Sequence, residues 1–344
     1  MKFFAAIGNP PYQQESKGAN ANDTPIYHHF YDAAMEVAEK VELISPARFL
    51  FNAGGTPKEW NSKMLNDEHF KVLSYTQDSS EIFSNTDIMG GVAITYRDST
   101  KSFEPITAFT PFEELNSIKQ KVGAKKEKSL SEIVTNRGLY RYSDKAYEEE
   151  PAELKKTADR RIAPSAFERM PKLFTKEKPS DGKEYIQIYG NLGNERVYRW
   201  FRKDFVKTVD NLYKYKVLVP KANGSSAIGG ATSTPLIGMP LIVKPLIGFT
   251  ETYISVGETD SLAEAEAILK YVKSKFARTM LGILKITQNN AKPVWEYVPV
   301  QNFSNNSEID WSASVKNIDR QLYKKYNLTN AEIEFIETHV KEME

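Results

Sequence analysis

The chain of 344 residues contains no cysteine, which excludes disulfides and any thiolate nucleophile or thiolate metal site. Only four histidines occur (His28, His29, His69 and His339), and none stands at metal-ligand spacing from carboxylates, so no metal is expected. No apolar run reaches membrane-spanning length and no signal peptide is recognisable, so no membrane association is expected and a bacterial-type cytoplasm fits. No internal repeat or coiled-coil heptad is present. Excess charge is missing too: the net charge is +1. That near-neutrality hides a division. Residues 119–221 carry 25 Lys plus Arg against 15 Asp plus Glu, whereas the remainder carries 21 against 30. A basic middle between acidic ends suits phosphate contact, although a charge run alone is more often solvated surface.

What is present starts at the N-terminus. The apolar run Phe3 to Ile7 and Gly8 lead into Asn9-Pro10-Pro11-Tyr12. Two prolines fix φ and remove two backbone donors, stiffening a turn at the tip of a buried strand. Asn9 offers an amide oxygen, the Pro10 carbonyl a second acceptor, and Tyr12 an aromatic face. That set suits a planar base with an exocyclic amine. The amine lone pair is delocalised into the ring, and two acceptors on its hydrogens favour the nucleophilic form. By itself the pattern equally suits a rigid turn without chemistry.

The rest of the first third reads as strand–helix alternation. A polar stretch, Gln13 to Thr24, follows the turn as a loop. Ile26, Phe30, Ala33 and Val37 predict a helix over 25–39, Val41 to Phe51 a strand, and Thr56-Pro57 a capped helix start. Phe70 to Tyr75 and Gly91 to Tyr96 predict further strands. This alternation identifies an open α/β sheet.

Gly8-Asn9-Pro10-Pro11-Tyr12-Gln13 resembles the catalytic motif of gamma-class methyltransferases that methylate adenine N6 in DNA, within type II and IIG restriction–modification systems. Ile44 to Leu50, Ile82 to Ile88 and Gly90 to Ile94 look like that family's next strand and late hairpin. Lys216 to Lys221, Thr250-Glu251-Thr252-Tyr253 and Ile309 to Ser312 resemble its target-recognition region and tail. The resemblance implies an α/β fold: a truncated Rossmann-like methyltransferase sheet, then an α+β target-recognition domain with C-terminal helices. It implies catalytic roles for Asn9, Pro10, Pro11 and Tyr12, and a flipped adenine stacked between Tyr12 and Phe83. S-adenosylmethionine is the implied cofactor and double-stranded DNA the implied partner.

In that family the motif strand is the fourth of the sheet, and earlier strands carry the glycine-rich turn for the cofactor. Here eight residues precede Asn9. Gly54-Gly55, Gly90-Gly91 and Gly229-Gly230 open no helix after a first strand. The expectation is a catalytic half without its own cofactor motif, leaving Phe3 to Ile7 as a bare edge for a partner polypeptide, a second copy or an upstream segment. The expected divisions are 1–118 (part of the catalytic domain), 119–190 (basic, helix-poor connector), 191–311 (target recognition) and 312–344 (helical tail).

Within the recognition region, Arg196, Arg199, Arg202 and Lys203 interleave with Tyr198 and Trp200, and with Lys221 they are candidate DNA contacts. The same pattern is also that of a half-buried strand. Ser261 with Glu264 and Thr329 with Glu332 predict helix starts. Leu262, Ala265, Ile268, Leu269, Val272 and Phe276 form one predicted helical stripe. A nuclease pattern, Asp144 with Glu153-Leu154-Lys155, fits formally, but Pro151 argues against a supporting strand. Two functions stand beside the methyltransferase: a DNA-binding subunit without catalysis of its own, and a methyltransferase acting on RNA or protein.

Overall fold

The computed structural model describes residues 3–14, 24–52, 55–84, 88, 90–103, 105–223, 228, 236–285 and 289–343. The polar loop after Tyr12 and both glycine pairs Gly54-Gly55 and Gly229-Gly230 lie wholly or partly outside them. The chain divides into two compact units, Met1–Glu113 and Glu114–Glu344.

The first unit is built on a four-stranded sheet. Strand β1 (Phe3–Gly8) is followed by helix α1 (Tyr27–Val37), β2 (Ala38–Pro46), helix α2 (Lys58–Leu65), β3 (Phe70–Thr76) and β4 (Val92–Asp98). The sheet order is β1-β2-β4-β3. β1 runs parallel to β2, from Phe3 opposite Ala38 to Gly8 opposite Leu43. β4 runs antiparallel to both of its neighbours. One face of this sheet packs against α1 and α2 through Tyr27, Tyr31, Phe49, Trp60, Met64 and Phe70. The buried Tyr31 hydroxyl ties the layers together, lying 3.0 Å from Ser45 Oγ and 2.6 Å from Thr95 Oγ1. A buried phenol must find such partners, and they fix α1 over β2 and β4.

The start of α2 differs from expectation. Pro57, extended at φ −57° and ψ 135°, occupies the cap position, and no side chain caps the helix. Thr56 instead donates its hydroxyl to Asn61 Oδ1 at 2.7 Å.

In the second unit, helix α3 (Glu113–Gly123) precedes irregular chain and short helical turns at Asp144–Glu149, Pro151–Leu154 and Ala166–Arg169. Strands β5 (Tyr185–Leu192) and β6 (Glu195–Arg202) form a hairpin, and β7 (Tyr215–Pro220), β8 (Leu241–Val243), β9 (Ile247–Phe249) and β10 (Tyr253–Thr259) complete two three-stranded sheets, β9-β5-β6 and β8-β7-β10. The segment read as a connector supplies Tyr140, Tyr142, Leu154, Phe167 and Phe174 to the core, where they meet Ile186, Ile188, Phe201 and Leu218. Asp144 and Glu153 both sit on helical turns, so the nuclease pattern has no strand beneath it.

Helix α4 (Leu262–Lys273) starts at Ser261, whose Oγ accepts from Glu264 N. Ser274 then breaks the chain before α5 (Lys275–Gly282), so the predicted single stripe is divided: Phe276 belongs to α5, and Leu262 is 43% exposed. Ala265, Ile268 and Val272 are buried as expected. Helices α6 (Val315–Lys325) and α7 (Asn330–His339) brace this end. Asp319 of α6 accepts from Lys275 N at 3.0 Å and Phe276 N at 2.9 Å, closing the start of α5. Thr329 and Glu332 form a complete capping box on α7.

Candidate functional site

The candidate site lies at the C-terminal ends of the two parallel strands, where open α/β sheets place their ligands. β1 ends at Gly8, and the chain turns through Asn9-Pro10-Pro11-Tyr12. Asn9 and Pro11 are exposed, while Pro10 and Tyr12 are half-buried. The turn is held behind Tyr12, because Ile26 N donates to Tyr12 O at 3.1 Å and Gln13-Gln14 pair with Thr24-Pro25. This short ladder ties Tyr12 to the start of α1.

Phe83 arrives from the loop between β3 and β4. Its position depends on Ser79, in a short 3-10 turn that Asp78 caps through Ser80 N. Ser79 O accepts from Phe83 N at 2.8 Å, and Ser79 Oγ accepts from Ile88 N at 2.8 Å. At the loop's far end, Ala47 N donates to Gly91 O at 2.9 Å, tying it to the end of β2. Gly91 has φ +78°, and a Cβ there would lie 2.4 Å from Thr76 O, so only glycine makes this approach.

Tyr12 and Phe83, 71 positions apart in sequence, are brought together with ring centroids at 6.4 Å and an interplanar angle of 66°. A base between two aromatic faces needs two gaps of about 3.5 Å, about 7 Å in all. The separation is near that value, but the rings meet edge to face, so one must rotate to form parallel walls. The Tyr12 hydroxyl is shielded from solvent and has no partner of good hydrogen-bond geometry among the described residues. Burial raises its pKa above 10, opposed by the neighbouring Asn9 side chain. The phenol is therefore neutral at physiological pH.

Ser79 was not anticipated from sequence. A serine in a polar Asp-Ser-Ser run carries no signal of burial, yet it is 3% exposed.

The candidate DNA contacts of the second unit separate. Arg196 is exposed on β6, and Arg199, half-buried, donates to Tyr198 O at 2.9 Å. Arg202 is 9% exposed, forks onto Asp204, pairs with Glu149 and covers the Phe205 ring. Lys203 pairs with Glu184 at 2.9 Å. Lys221 lies 3.8 Å from the buried Glu251 carboxylate. These five do not form one surface.

Comparison with known proteins bears on the turn and its surroundings. Residues 1–83 match the Eco57I restriction-modification methylase family. That stretch contains β1, the Asn-Pro-Pro-Tyr turn and Phe83, and it supports a restriction–modification methylase. The chain is also 30% identical over 95 residues to an uncharacterized adenine-specific methylase of Mycoplasma pneumoniae; the match takes in 27% of this chain and 22% of that protein's length. Among solved structures it is similar to the type IIG restriction endonuclease BpuSI, with a TM-score of 0.34 and 7% identity over 93% of this chain and 50% of that one. Among the described residues no helix is long and apolar enough to cross a membrane, and no group of His, Asp or Glu could hold a metal.

Proposed function

We propose that this chain is the adenine-holding part of a site-specific DNA adenine-N6 methyltransferase of a restriction–modification system. The carrying observation is the Asn9–Tyr12 turn at the end of a parallel strand, with Phe83 brought against Tyr12. A target adenine flipped from the duplex lies between these two rings. The Asn9 amide oxygen and the Pro10 carbonyl accept its amine hydrogens and hold the nitrogen toward the methyl donor. No general base is required, since the proton can leave after methyl transfer.

S-adenosylmethionine supplies the methyl group in this reading. The described residues fit the adenine and not the cofactor: none forms a glycine-rich turn from a strand into a helix, and Gly90-Gly91 instead lead into β4. β1 is an edge of its sheet with an apolar surface, Phe3, Phe4 and Ile7 being 70, 71 and 77% exposed. The Lys40 ammonium lies 4.2 Å from the Phe4 ring centroid. Apolar side chains on both faces of an edge strand call for a neighbouring strand with layers above and below. We assign that neighbour to a segment carrying the cofactor site, of the same or of another polypeptide.

Two titrations of the purified chain test this division. Calorimetry with S-adenosylmethionine is expected to show no binding, and fluorescence anisotropy with duplex DNA is expected to show salt-sensitive binding. Stoichiometric cofactor binding would overturn the division of labour. Absence of duplex binding at low salt would overturn the DNA reading.

A further inference from the structure

The surplus of positive charge in residues 119–221 is not spread evenly, and two clusters show the difference. In one, Lys145 and Arg202 face Glu149 and Asp204, two cations against two carboxylates. That cluster is internally neutral. In the other, Arg137, Arg161 and Lys221 converge on a single atom, Glu251 Oε1, at 3.4, 2.9 and 3.8 Å. Arg161 also grips Asp159 through Nε, at 3.0 and 2.9 Å from the two carboxylate oxygens. Arg141 stands opposite Arg161 in a β-bridge, with its Nε donating to Gly138 O at 3.4 Å. Four cations here meet two carboxylates.

We propose that Arg137, Arg141, Arg161 and Lys221, gathered by the buried Glu251, form a patch that contacts the phosphates of duplex DNA. The proposal rests on the DNA reading above and extends it to residues that the sequence, Lys221 apart, did not single out.

Like charges opposed across a bridge destabilise a ladder, so the Arg141–Arg161 pair works against the fold. Their closeness is built in. Gly138 has φ +69°, and a Cβ there would lie 2.4 Å from Arg161 Cδ, so the arginine stem crosses directly over the glycine. Glu251 is 8% exposed, and its backbone N–H donates to Ile162 O at 2.8 Å, which fixes the carboxylate beside Arg161. A buried carboxylate requires compensation, and here one oxygen serves three cations. Arg161 is neutralised by Asp159 and Glu251 together, whereas Arg137 and Lys221 share the Glu251 oxygen with it and are not. Arg137 makes its pair through Nε with its side chain 62% exposed, which leaves its terminal nitrogens for another anion. Guanidinium forks of this kind match phosphate oxygens in pairs.

The surroundings are concave. A groove of about 580 Å³ runs beside the cluster, lined by Thr135, Asn136, Arg137, Gly138, Arg141 and Lys292 among others. Its two acidic residues are engaged elsewhere: Glu258 accepts from Asn211 Nδ2 at 2.9 Å, and Glu132 lies 3.8 Å from Lys128. The groove thus sets three cations, Arg137, Arg141 and Lys292, against two carboxylates, one of them offset by Lys128.

The test is anisotropy of a labelled duplex of arbitrary sequence with the full chain, measured across a salt series. Each phosphate contact contributes about −0.9 to the slope of log affinity against log salt. Arg137→Ala, Arg141→Ala and Lys221→Ala are each expected to flatten that slope by about one. Each should also shrink the affinity lost between about 50 and 200 mM salt by about three-fold. Lys145→Ala, in the neutral cluster, is expected to leave the slope unchanged. Slopes unchanged in all three patch variants, with the wild-type chain still binding, would overturn the patch and leave the DNA reading intact. Failure of the wild-type chain to bind duplex at low salt would remove the reading beneath it and the patch together.

Discussion

Two short apolar strands of this chain meet opposite fates. β1, Phe-Phe-Ala-Ala-Ile-Gly, and β7, Tyr-Lys-Val-Leu-Val-Pro, are of similar length and apolar character. β7 lies between β8 and β10, beneath α4, and Val217, Leu218 and Val219 are fully buried. Among the described residues β1 has one neighbour, and of its side chains only Ala6 reaches the core of its unit. The sequences do not distinguish them. What differs among the described residues is the second neighbour, which β7 has and β1 lacks, and exposed phenylalanines on an edge strand leave it open to pairing.

The largest expected effect sharpens that contrast. Val219→Asp buries an unpaired carboxylate in a central strand and should cost about 4 kcal/mol or more, enough to unfold the second unit in chemical denaturation. Ile7→Asp, at a site 77% exposed, should change the stability of the isolated chain by no more than about 0.5 kcal/mol. A comparable loss from both substitutions would show that β1 is buried by the chain itself.

Next in size is Tyr31→Phe. It leaves Ser45 and Thr95 buried without their shared phenol, and the expected loss is about 1–3 kcal/mol in the first unit, read by urea titration. A neutral result would mean that the hydroxyl does not hold α1 to the sheet.

The effect in β7 itself is smaller for each pH unit, about 1.4 kcal/mol at most. Lys216 is fully buried, donating to the carbonyls of Asn211 at 2.6 Å and Lys214 at 3.2 Å, and burial pushes its pKa down from 10.5 to about 7. Between about pH 7 and 10.5 the unfolded lysine holds a proton that the folded one lacks, so stability should rise with pH across that window. Denaturation midpoints at neutral and mildly alkaline pH read this directly. Lys216→Met should flatten the rise, leaving the shallower slope of Lys285, whose pKa burial lowers to about 8. A rise that persists unchanged in Lys216→Met would assign it to other groups.

How much of this was legible in the sequence depended on range. β1 and its turn were legible because a strand, its end and the rigid Asn-Pro-Pro-Tyr turn are contiguous. Phe83 was named through resemblance, but Ser79 was not, since its burial comes with bonds from Phe83 N and Ile88 N that the sequence does not announce. Thr56 was misread by one residue: with Pro57 still extended, the helix starts later and the hydroxyl bonds Asn61 instead. Arg202 and Arg196 share one sequence cluster, yet one is drawn in by Asp204 and Glu149 and the other is exposed. Glu251 stood out as part of a motif, whereas its task was invisible, because Arg137, Arg161 and Lys221 reach it from separate segments. The apolar residues of 140–174 follow no helical or strand period, so their place in the core could not be read locally.

The central claim is that the Asn9–Tyr12 turn holds adenine for methylation. Its most direct test is a genome-wide map of N6-methyladenine in cells carrying the native locus, with the wild-type chain and with Asn9→Ala at equal protein levels. The account expects a defined methylated sequence motif with the wild-type chain and its loss with Asn9→Ala, while duplex affinity of the purified variant is kept. The same motif fully methylated in the Asn9→Ala cells, or no modified adenine with the wild-type chain, would contradict it.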